Sequence, residues 1–252
     1  MKRFISIFKA EHYKTKGNIA VLLFLLCPFV AIMGVCIHIA MKTGNTEISV
    51  NPWTYLIANR SQILYYFYPL LVSILVYSLC DMEYRNRNFK RLFTLPYPVH
   101  TIYSSKIIFL IEIVFLSTLI AFATFIVGGL VLSHFFPALS FQDYDIRLAC
   151  FIFHTRLFIS LLAVSLIQYS ISLIFKNFVV PVGFGCFMVM FTLISQRSEK
   201  SYLNPFAAIL NSLSEFIRFQ SVSFSKYDYV CLAWIFVFLL INYFLFKRQK
   251  IN

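Results

Sequence analysis

Long apolar runs alternate with short polar breaks along this chain, and within the runs no side of a helix or strand is polar. In VLLFLLCPFVAIMGV, neither a period of two nor one of 3.6 separates an inner from an outer side. A helix needs ~20 apolar residues to cross a ~30 Å hydrocarbon core. Six stretches reach or approach that length: Ile19 to Met41, Ile63 to Cys80, Ile107 to His134, Leu157 to Phe175, Phe178 to Ser195 and Tyr229 to Phe246. The expected fold is all-α, one polytopic membrane unit with six transmembrane helices over residues 1–252. A transmembrane β-barrel would show segments of ~10 residues in strict alternation, which these runs lack.

Three segments carry a different pattern. Residues 1–18 (MKRFISIFKAEHYKTKGN) put Phe4, Ile5, Ile7 and Phe8 on one helical arc and Lys2, Lys9 and Lys16 on the other. That predicts a helix lying along a membrane surface, its polar side open to a soluble partner, with Gly17 and Asn18 turning into the first span. Residues 196–228 hold a polar stretch and then a stripe in which Phe206, Ile209, Leu210, Leu213, Phe216 and Ile217 recur at offsets 0, 3, 4, 7, 10 and 11. Asn204 is placed to cap this helix and Pro205 takes its first position. Too short and too polar to cross, it either lies in the membrane interface, dips in and returns, or lines the exit of a path through the protein.

The third segment, residues 81–106, reads DMEYRNRNFKRLFTLPYPVHTIYSSK. Phe89, Leu92 and Phe93 fall at i, i+3 and i+4, while Arg85, Arg87, Asn88, Lys90 and Arg91 stay polar. A helix of about three turns would present this apolar knob to a groove on a soluble partner. Pro96 and Pro98 stop it, and Tyr103 and Lys106 lead back into the membrane. The alternative is a basic loop that only anchors topology.

Composition agrees with the patterning: 60% hydrophobic and 13% charged residues would leave a water-soluble domain nowhere to put its apolar surface. A formal charge of +12 raises the question of nucleic acid, and its distribution answers it. With the N-terminus inside, inner segments hold 14 of the 22 Lys/Arg and three acids (Glu11, Asp81, Glu83), net +11; outer segments hold 8 and six acids, net +2. The positive-inside rule then makes both termini cytoplasmic, and the expected charged partner is membrane lipid, not nucleic acid. On the outer side, Pro52, Trp53 and Tyr55 suit the headgroup region. The fourth helix is expected to begin near Asp145, leaving His154 and Arg156 snorkelling at the outer interface.

No chemistry of an enzyme emerges. The six cysteines are scattered without a CxxC and read as packing residues, and the five histidines do not converge at one membrane depth. HExxH, paired intramembrane acids, a Gly-x-Ser with a distant His, and GxxxxGK[ST] are all missing. No catalytic residue, metal ligand or cofactor of this chain is therefore expected. The first apolar run exceeds a signal-peptide core and should stay as a span.

One arrangement points further: Glu83 at the end of the second span, a polar turn at Asn86, basic Lys90 and Arg91, then Leu95-Pro96, and Ser105-Lys106 before the third span. Together with six spans, a basic N-terminal helix bearing Glu11 and Lys14, and an amphipathic helix before the last span, it makes nearly the whole chain resemble the permease subunits of type-2 ABC exporters. Within these it is similar to the small immunity permeases that protect bacteria from lantibiotics and related peptide antibiotics. It departs from their pattern in having Asn86 and Asn88 where the family often has glycine.

The resemblance implies a permease of the bacterial cytoplasmic membrane that exports a hydrophobic or amphipathic compound. Residues 81–106 would be its coupling loop, docking through Glu83, Arg85, Phe89, Lys90, Arg91, Leu92 and Phe93 on a separate ABC ATPase that binds ATP and Mg. A second permease chain, identical or paralogous, would complete the path. Glu112, a carboxylate inside a span, would either serve coupling or the path, or snorkel or pair with a basic residue near the inner surface. A non-transporting scaffold or sensor subunit would need the same spans and loop; an intramembrane enzyme would need the motifs that are missing.

Overall fold

The computed structural model describes residues 2–42, 51–58, 62–84, 97–195, 198–219 and 223–249. These form nine α-helices and no strand: α1 (Lys2–Thr15), α2 (Ile19–Lys42), α3 (Pro52–Ala58), α4 (Gln62–Tyr84), α5 (Val99–Phe135), α6 (Arg147–Ile174), α7 (Val179–Ser195), α8 (Pro205–Phe219) and α9 (Lys226–Arg248). The chain is an all-α polytopic membrane protein, as its patterning predicts. Helices α2, α4, α5, α6 and α9 are long and apolar enough to cross a bilayer, and α7 is a shorter apolar helix of 17 residues. One boundary differs from expectation, α5 starting about two turns early at Val99 rather than Ile107, while α6 starts at Arg147, close to Asp145 as expected. Flanking polar residues hide these turns from a hydropathy window, yet their backbones close hydrogen bonds as helix all the same.

Local chemistry explains the joints. Gly17 takes φ +86°, the left-handed region that glycine enters without steric cost, and ends α1. Asn18 Oδ1 then accepts the backbone N–H of Ala20 at 2.9 Å and so caps α2. Asn204 Oδ1 accepts from Phe206 N at 3.0 Å and Pro205 opens α8, as the sequence predicts. Asp145 Oδ1 accepts from Arg147 N at 3.3 Å at the start of α6.

Helix α6 is the most buried of the spans, packed against α4, α5, α7, α8 and α9, while α2 and α9 show most of their surface to lipid. Its serines let neighbours approach, and two of them satisfy their hydroxyls within the helix: Ser160 donates to Arg156 O at 2.9 Å and Ser165 to Leu161 O at 2.7 Å. One proline inside a span is compensated from a neighbouring helix. Pro28 frees the carbonyl of Phe24, and Ser117 Oγ of α5 donates to that oxygen at 2.9 Å.

Two expectations are corrected here. The apolar stripe of α8 faces protein, not membrane: Phe206, Ile209, Leu210, Leu213 and Phe216 are buried in the core, with Ile217 half-buried beside them. A stripe fixes which face is apolar but not whether lipid or protein covers it. Trp53, assigned to the headgroups, is also buried; its Nε1 donates to Phe141 O at 3.0 Å and its ring packs on Phe125 and Phe141. Gly129 makes room for it, since a Cβ there would collide with the indole.

Candidate functional site

At one end of the bundle, three helices meet through four charges. Glu83 lies one residue from the end of α4, Lys106 lies two turns into α5, and Glu11 and Lys14 lie one turn apart on α1. Lys106 Nζ donates to Glu11 Oε1 at 3.0 Å and to Glu83 Oε1 at 2.8 Å. Lys14 Nζ donates to Glu11 Oε1 at 3.1 Å and to Glu83 Oε1 at 2.6 Å. The charges alternate around a closed ring and sum to zero, so each ammonium sees two carboxylates. That is the arrangement under which buried ions offset their lost hydration. The Lys106 side chain is only 9% exposed and the two carboxylates less, whereas Lys14 is 36% exposed. Glu83 Oε2 has no hydrogen-bond partner among the described residues and borders a cavity of about 30 Å³, room enough for a water.

This ring sits where the chain leaves α4 and re-enters at α5, at the two roots of the segment between them. Other bonds fasten the same end. Tyr84 Oη donates to Ser172 O of α6 at 2.8 Å, and Tyr103 Oη donates to Leu239 O of α9 at 2.7 Å. Glu112 is met by His12 of α1, Nε2 to Oε2 at 3.0 Å, with the imidazole set edge-on to Phe8 and Phe109. Of the two readings of Glu112, pairing with a basic residue is what the geometry displays. Of the docking residues, Glu83 is in the ring; Arg85, Phe89, Lys90, Arg91, Leu92 and Phe93 lie outside the described residues.

A second charged group occupies the opposite end and corrects the expectation for Arg156. Its side chain is 2% exposed, not snorkelling: Nη2 donates to Glu215 Oε2 of α8 at 2.6 Å and to Ser225 Oγ at 2.8 Å, and Nε lies 2.8 Å from Asp228 Oδ2 of α9. Asp228 also closes a capping box with Ser225 at the start of α9. One guanidinium thus clamps α8 and α9 to α6. His154 is likewise buried; its Nδ1 lies 2.8 Å from Cys150 O, and the rings of Phe122, Phe125 and Phe153 surround it. The sequence signal for this clamp was an arginine at the edge of a span with acids in both following segments. Nothing in the spacing said that they meet.

Comparison with protein families matches residues 7–192 to the family described as ABC-2 family transporter protein. The match runs from within α1 through most of α7 and takes in the whole charge ring. The chain belongs to the ABC-2 transporter family. It is accordingly a permease component of an ABC transporter, in a family whose work is membrane transport rather than catalysis. A search of curated proteins and a search of solved structures each returned no match.

Proposed function

We propose that this ABC-2 permease couples ATP hydrolysis on a separate subunit to the export of a hydrophobic or amphipathic compound, a peptide antibiotic being the class its resemblance favours. The observation that carries the reading is the charge ring. It joins the surface helix α1 to both roots of residues 81–106, so a push on that segment reaches α1, α4 and α5 together rather than being absorbed in a loop. ATP and Mg would bind on the ATPase, which would grip the knob of Phe89, Leu92 and Phe93 with Arg85, Lys90 and Arg91 around it. A second permease chain would face this one across the path, in a bacterial cytoplasmic membrane with both termini inside.

The test replaces Phe89, Leu92 and Phe93 by Ala. Each side chain, if fully buried in a groove, contributes ~1.5 to 3 kcal/mol to docking. The variant should reach the membrane in parental amounts, fail to retain the ATPase through purification in mild detergent, and lose protection of cells against the exported antibiotic. Parental copurification together with parental protection would reduce the segment to a topology anchor and sink the coupling reading.

A further inference from the structure

Helices α7 and α9 flank a cleft of about 440 Å³ over α6. Its walls are Ile167 of α6, Met188 and Phe191 of α7, Phe206 of α8, and Trp234 and Phe238 of α9. On either side of the cleft, α7 and α9 expose Phe187, Met190, Phe236 and Leu240, the lipid-facing surface of a membrane helix, so the mouth opens into hydrocarbon rather than water. Polar groups gather in the turn after α7 that borders the cleft, and two of these are already engaged: Ser201 Oγ with Tyr227 Oη at 2.8 Å, and Asn204 Nδ2 with Thr192 Oγ1 at 2.9 Å. Ser198 and Lys200 are exposed there, as is Glu199 between them, and among the described residues no acidic side chain lines the cleft.

The length of α7 sets their depth. Seventeen residues span ~25 Å, less than the ~30 Å hydrocarbon core, so the turn that follows is held no farther out than the boundary between hydrocarbon and headgroups. An ammonium at that depth, above an apolar slot open to the bilayer, is complementary to one kind of molecule. We propose that the cleft is a binding site for an anionic phospholipid, with an acyl chain along Phe191, Trp234 and Phe238 and the phosphate meeting Lys200 Nζ and the Ser198 hydroxyl. The site requires a bilayer around the chain and is independent of what the protein transports.

Trp234 is the reporter, and the chain holds one other tryptophan, the buried Trp53. The full chain is reconstituted in phosphatidylcholine vesicles containing a minor fraction of either phosphatidylglycerol or phosphatidylcholine with brominated acyl chains. The quenching lost on Trp234→Phe is assigned to Trp234. Brominated phosphatidylglycerol should quench Trp234 about five-fold more effectively than brominated phosphatidylcholine, the preference that one lysine supplies at an anionic surface. Lys200→Ala, a change at an exposed position, should abolish the difference and leave Trp53 quenching unaltered. Equal quenching by the two lipids in the parent chain, as expected if the cleft holds an exported compound or only bulk lipid, overturns the proposal. So does a preference that survives Lys200→Ala.

Discussion

Two lysines in one ring have different weights, and burial is the reason. Lys106→Met leaves two facing carboxylates with a single, partly solvated cation, and removing one partner from a buried ion pair costs on the order of 3 to 5 kcal/mol. Lys14→Met removes a side chain that water already reaches, for which ~1 kcal/mol or less is expected. Thermal unfolding in detergent should therefore rank Lys106→Met well below Lys14→Met; equal midpoints would mean that water fills the ring. Arg156 gives a sharper case, because Asp228 is fully buried. Arg156→Ala should be at least as damaging as Lys106→Met, and Arg156→Lys should rescue only in part, since one ammonium cannot reproduce the fork to Glu215, Ser225 and Asp228. Glycines separate in the same way. Gly129→Ala drives a methyl into Trp53 at about 1 to 3 kcal/mol, whereas Gly183→Ala meets nothing within 4 Å and should be neutral or slightly stabilising.

Helix α8 shows how far a pattern can be trusted. Its stripe was legible at once, its cap and first proline were placed correctly, and its partner was not. A membrane-bound helix would come loose if Ile209 or Leu213 became Asp; a helix buried on α4 and α6 instead loses its core contacts, and the fold with them. Leu213→Ala should cost about 2 to 5 kcal/mol, read from the unfolding midpoint, and the half-buried Ile217 distinctly less. Comparable losses at both positions would return α8 to the membrane surface. The extension of α5 to Val99 follows the same logic: hydropathy locates the part of a helix that lies in hydrocarbon, and hydrogen bonding decides where the helix ends.

For the whole molecule, topology joins the charge ring to the coupling reading. Cysteine introduced at Asn88 should react with an impermeant thiol reagent only from the cytoplasm and cysteine at Ser198 only from outside, in inverted vesicles and in intact cells respectively. Labelling of both from one side would separate the ring from any cytoplasmic ATPase and place Lys200 in the other leaflet. Family membership is insensitive to that result, since it rests on residues 7–192 rather than on orientation.

Run length and composition were sufficient for a helical membrane protein, because hydrocarbon satisfies no backbone group and leaves a long apolar chain with few other options. The charged residues of the ring were visible too, each at the right end of its helix. Their closure was not: Glu11 and Lys106, like Arg156 and Asp228, lie far apart in the chain, and periodicity states which face of a helix is apolar without naming what it meets. Packing alone put Lys106 between two carboxylates, Arg156 between α8 and α9, and Trp53 against Gly129, because a buried charge or ring is tolerated only where specific partners from other helices converge on it.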